Sequence, residues 1–160
     1  MALKADRHEF QTDISFFMNE TATRGGVVCH DATVGSGAAM DQGVNLVVYP
    51  TVAATHTPIG ILLNDVVNKD LTRTHLNHHK DEVQKGGKVT ILRKGWVVTD
   101  RIDGTPTVGQ VAFLDVGATG GLISAGANAD FLGSGIGSLA VGRFLSVKDE
   151  DGYAKVEINL

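Results

Sequence analysis

"LAVGRFLSVKDEDGYAKVEINL", residues 139–160, ends in strict alternation: Ala154, Val156, Ile158 and Leu160 share one side, with Tyr153, Lys155, Glu157 and Asn159 on the other. Successive side chains of a strand point to opposite faces, so this run reads as a strand with one face on a core and one in water. Asp149 to Gly152 provides aspartate and glycine for a tight turn, and the apolar residues before it provide a partner strand. The segment predicts a β-hairpin.

The chain upstream continues in the same style. "KVTILRKGWVVTDRI" (88–102) reads as two strand stretches interrupted at Gly95, a bulge or tight turn beside Trp96. "TPTVGQVAFLD" (105–115) adds a strand after a proline-containing turn at Gly104 to Pro106. Earlier, Val27 to Cys29, Leu46 to Tyr49 and Ile59 to Leu63 form short β-like runs separated by Gly-Ser or Pro punctuation. The glycine-rich stretch 117–138 reads as loops carrying one short strand, Leu122 to Ser124, and Asn68 to Lys85 as a polar segment holding a short helix or a long loop. There is no internal repeat of solenoid length.

Composition agrees. Glycine accounts for 20 of 160 residues, well above the background of about 7%, while proline is scarce. With β-branched residues dominating the apolar set, many short strands joined by glycine turns are expected. The predicted fold is all-β, with at most one short helix: a small β-barrel or β-sandwich with an extended N-terminal arm, residues 1–26, ahead of a β-rich domain, residues 27–160. Within the arm, Phe10, Ile14, Phe16 and Met18 share a face at period two, and Phe10, Ile14, Phe17 and Met18 share one at helical spacing. The aromatic and β-branched residues favour the extended reading, and that much apolar surface has to be covered somewhere.

The N-terminus has no apolar run of signal-peptide length, and nothing approaches the ~20 apolar residues that span a bilayer, so a soluble, unexported chain is expected. A net charge of −4 and a pI near 5.8 argue against a general nucleic-acid binder. Cys29 is the single cysteine, which excludes an intrachain disulfide and reads as a small buried apolar residue.

Chemical motifs are few. His75, His78 and His79 stand at spacings that, on a helix, place imidazoles on one cation. The zincin pattern is broken because Leu76 follows His75, and neither a third ligand nor a supporting partner is designated. "GSGIGS" (133–138) and "GATGG" (117–121) lack the Gly-Lys-Ser/Thr ending of a P-loop and suit turns. No G-x-S-x-G elbow surrounds Ser36 or Ser134, Asp81-Glu82 reads as solvated, and the 149–151 acidic run belongs to the hairpin turn. Trp96 reads as a core or interface anchor. The expectation is no enzyme, no catalytic residue, no cofactor and no metal. The rival is a metal-binding module or metalloenzyme centred on His75, His78 and His79.

"ADRHEFQTDISFFMNETATRGGVV", "PIGILLNDV", "HHKDEVQKGGKVTILRKGWVVTDRIDGTPTVGQVAFL" and the closing "VGRFLSVKDEDGYAKVEINL" together resemble the capsid decoration (cement) proteins of tailed bacteriophages, over residues 5–160. The resemblance implies a β-rich, non-enzymatic protein on the virion capsid exterior, assembled in the host bacterial cytoplasm, that stabilises the mature head. It implies the major capsid protein and further copies of this chain as partners, a homotrimer ahead of a homodimer, with neither nucleic acid nor membrane. It points to the arm residues Phe10, Ile14, Phe16, Phe17 and Met18 as the interface. Another virion β-domain, such as a tail component, has the same general look.

Overall fold

The computed structural model describes residues 3–31, 45–50, 57–65, 82–115, 120–126 and 139–160, and among these residues every regular element except a single 3₁₀ position is a strand. The strands are β1 (Leu3–Met18), β2 (Ala22–Thr23), β3 (Val27–His30), β4 (Leu46–Val48), β5 (Pro58–Asp65), β6 (Glu82–Val83), β7 (Lys88–Thr99), β8 (Ile102–Asp103), β9 (Val111–Leu114), β10 (Ile123–Ser124), β11 (Ala140–Phe144) and β12 (Ala154–Asn159). The all-β expectation holds, and the polar segment allowed a short helix lies at residues mostly outside those described.

The closing hairpin forms as its alternation requires. Gly142, Arg143 and Phe144 of β11 face Ile158, Glu157 and Val156 of β12. Ala154, Val156 and Ile158 are buried, while Glu157 and Asn159 are exposed. At the turn, Asp149 Oδ1 accepts from the amides of Asp151 and Tyr153 at 3.1 and 2.7 Å, and Gly152 takes a φ of +86° that L side chains resist.

β7 organises the rest. One edge pairs with β1 along its length; the other pairs with β5 over its first half and β12 over its second. The expected break at Gly95 is not a break: β7 runs straight through, because Gly95 adopts φ +142° and lets the His8 carbonyl come so close that no Cβ could be accommodated. The large sheet runs β1-β4-β3-β5-β7-β12-β11-β9-β10-β8, with the extra β1–β7 pairing. Since β1 also pairs with β4 in parallel, β1, β4, β3, β5 and β7 hydrogen-bond in a closed cycle.

Two cores result. Phe16, Met18, Val28, Val47, Leu62, Val89 and Ile91 come from all five strands of the cycle and fill it, with Tyr49 and Val83 beside them. Val27, Cys29, Ile61, Leu63 and Leu92 point the other way and pack with Val97, Leu114, Val141, Phe144, Val156 and Ile158. β3 and the middle of β5 are therefore covered on both faces, which is why "VVC" and "ILL" are continuous apolar runs. Burying each such side chain contributes about 1.5–3 kcal/mol.

Candidate interaction surface

The apolar residues of the first strand separate into two groups. Phe16 and Met18 lie in the protein's own core at 8% and 0% exposure, and Phe17 is half-buried. Phe10 and Ile14 face solvent at 78% and 51%. The pairing with β7 shows why. Glu9 faces Gly95 and Gln11 faces Lys94, leaving Phe10 as an extra residue; Asp13 faces Ile91 and Phe16 faces Val89, so Ile14 and Ser15 share one opposing position. Both exposed apolar side chains thus sit at bulges, which unpair a residue and re-aim its side chain. Period-two reading places Phe10, Ile14, Phe16 and Met18 together; the bulges turn the first two out of the core.

Local bonds shape the second bulge. Asp13 Oδ1 accepts from the Ser15 amide at 2.8 Å and the Ser15 hydroxyl at 2.6 Å, and Asp13 Oδ2 lies 3.9 Å from Arg93 Nη1. Partial burial opposes ionisation of Asp13, but the Ser15 bonds and the nearby Arg93 outweigh it and hold the carboxyl below its ordinary value.

The second edge of β1 meets β4 only at Phe17 and Met18, so among the described residues no strand covers it from Leu3 to Phe16. A long free edge is a template for another chain. This one carries alternating charge, with Arg7 Nε 2.6 Å from Glu9 and further charges at Asp6 and Asp13, which restrains indiscriminate pairing. The strand is fixed at its start by Lys4 Nζ, 3.1 Å from Asp149 and 4.1 Å above the Tyr153 ring. Midway, His8 stacks on Trp96 at 6.4 Å between centroids, and Lys155 Nζ lies 3.3 Å from the Trp96 centroid. Trp96 therefore anchors the N-terminal strand to the sheet, an intramolecular role that its sequence context alone did not specify.

Exposed Val108, Val111 and Leu145 lie where residues 108–111 meet the end of β11, and Val147 is exposed two residues further on. The Gly109 amide donates to the Phe144 carbonyl at 2.8 Å there. Sequence reading missed the group because 108–111 and 145 are distant in the chain, and only the β9–β11 pairing brings them together.

His75, His78 and His79 lie outside the described residues, as does "GSGIGS". Among the described residues, no group of three or more His, Cys, Asp or Glu is placed to hold a metal ion. Cys29 and His30 point to opposite sides: Cys29 is buried, its thiol pushed up to about 12 by burial, and His30 is exposed, edge-on to Phe16 at 5.8 Å. Gly120 and Gly121, the described glycines of "GATGG", take φ of +93° and +65°, as turn glycines do. Among the described residues no helix is long and apolar enough to cross a membrane.

Comparison with known proteins complements this geometry. The search of curated proteins finds no match. A family model described as structural cement protein (E217 gp24/Pam3 gp6) matches residues 10–159, from the exposed Phe10 of β1 to the end of β12. A match over nearly the whole all-β body assigns the molecule: this chain belongs to the phage structural cement protein family, and its role is that of a virion structural protein.

Proposed function

We propose that this protein attaches to the outer surface of the major capsid lattice and stabilises the mature head, acting by contact and without catalysis. Residues 1–26 supply the attachment arm, laid along β7 as a strand of the same sheet, and residues 27–160 the rest of the body. The observation that carries the reading, given the family, is the outer edge of β1, uncovered by any strand among the described residues, with Phe10 and Ile14 turned outward. An added strand from a capsid subunit would satisfy the edge amides and carbonyls, and the two side chains would fill pockets on the partner. Phe16 and Met18 support the arm from inside, and Phe17 borders it.

Self-association, as a homotrimer ahead of a homodimer, follows from the lattice setting, where several weak contacts per oligomer multiply effective affinity by roughly 10² to 10⁴. In this reading the capsid exterior is its location, assembly takes place in the host bacterial cytoplasm, and neither nucleic acid nor a membrane is a partner. The test is calorimetry of expanded, mature-like shells with and without saturating protein. A rise in shell melting temperature supports attachment; unchanged melting at saturation counts against it.

A further inference from the structure

Four side-chain atoms among the described residues are buried without a hydrogen-bond partner: Arg24 Nε, Arg93 Nε, Asp100 Oδ1 and Arg101 Nε. Leaving a buried donor or acceptor unpaired forfeits its hydration without replacement, so each asks for a reason. Arg93 directs a terminal nitrogen toward Asp13. Arg101 is different, because it lines a cavity of about 290 Å³ together with Glu20, Thr21, Thr23, Tyr49 and Gly120.

The cavity walls are held from below. Thr99, fully buried, donates its hydroxyl to the Gly25 carbonyl at 2.9 Å and accepts the Arg101 amide at 3.1 Å, which fixes the backbone from which Arg101 projects. Gly120 brings bare backbone under the guanidinium: a Cβ there would lie 3.3 Å from Arg101 Nη1. Glu20 also lines the cavity, and its Oε1 accepts the Tyr49 amide at 2.5 Å, leaving its second oxygen without a partner among the described residues. The Tyr49 hydroxyl is already committed to the Thr23 carbonyl. Glu20 and Arg101 face one space without an ion pair between them.

A guanidinium and a carboxylate oxygen with no partner among the described residues, both lining one cavity, select by charge. A lone carboxylate would meet Glu20, and a lone cation would meet Arg101. A neutral amide accepts from one and donates to the other. We infer that this cavity takes an amide group of the capsid subunit, a main-chain peptide unit or an Asn or Gln carboxamide, with its carbonyl on Arg101 and its N–H on Glu20. The inference rests on the attachment reading and adds a second, polar contact to the β1 edge.

The experiment is titration of expanded shells with wild type, R101Q, E20Q and F10S, each first checked for its own melting temperature and oligomeric state. R101Q and E20Q are each expected to weaken shell affinity by about tenfold or more, the usual consequence of removing a hydrogen bond to a charged group. R101K, which retains the charge and loses the planar fork, is expected to weaken it in the same direction and serves if R101Q melts early. Wild-type affinity in R101Q and E20Q alongside weakened F10S overturns the amide site and leaves attachment standing. If R101Q alters the oligomeric state of free protein while shell affinity is unchanged, the amide belongs to a second copy of this chain, and the assignment to the capsid subunit is overturned. Failure of the wild type itself to bind shells removes the attachment reading and this inference with it.

Discussion

Phe10 and Met18 have similar hydrophobic character and lie eight positions apart on one strand, yet one is 78% exposed and the other 0%. Their substitutions therefore separate attachment from folding. Phe10→Ser with Ile14→Ser is expected to leave folding stability within about 0.5 kcal/mol of wild type, as surface changes usually do, while weakening shell binding. Met18→Ala is expected to cost about 2–5 kcal/mol through lost burial and the cavity left behind. Urea unfolding of the free protein checks both, and equal costs would show that the two positions share one environment. Cys29 gives a second contrast: with its thiol pushed up to about 12 by burial, it should resist iodoacetamide in native protein at pH 8 and react once the chain is unfolded in guanidinium. The identity of Cys29 as a buried residue was legible in its apolar neighbours Val27 and Val28; the outward turn of Phe10 was not, because a bulge depends on the register of a distant partner.

β1 and β7 form the longest pairing, and its irregularities are specified by small local devices. Asp13 and Ser15 close a local turn beside Arg93, and the Asp13 carboxyl is held below its ordinary value of 3.8. A group whose folded pKa is depressed adds stability above its unfolded pKa and loses it as pH falls through the folded one. The stability gap between wild type and Asp13→Asn should therefore stay level from neutral pH down to about 5 and close as the pH drops below 3.8. Urea titrations across that range measure it, and a gap that widens toward acid would reverse the assigned sign. Gly95 shows the limit of reading an element in isolation: glycine next to Trp96 suggested an interruption, whereas it is the residue that allows β7 to continue past the His8 carbonyl.

The two cores lie on opposite faces of the same central strands. Val28, Leu62 and Ile91 serve one, and Val27, Ile61, Leu63 and Leu92 serve the other. Neither core can dissolve without exposing strands that the other needs, so the free protein is expected to unfold in one calorimetric transition, and Val28→Ala and Ile158→Ala should each lower that same transition. Two resolved transitions would show that the closed cycle and the β9–β12 side fold independently.

Strand identity, the closing hairpin and turn glycines were legible in the order of residues, because alternation and turn chemistry are local properties. Closure of β1 onto β4, the sharing of β3 and β5 by two cores, the exposure of Phe10 and Ile14, and the placing of Arg101 and Glu20 on one cavity were settled by tertiary structure. Each depends on which distant strand supplies the hydrogen bonds and at what register. Those choices are made by long-range burial, which local patterns constrain without selecting.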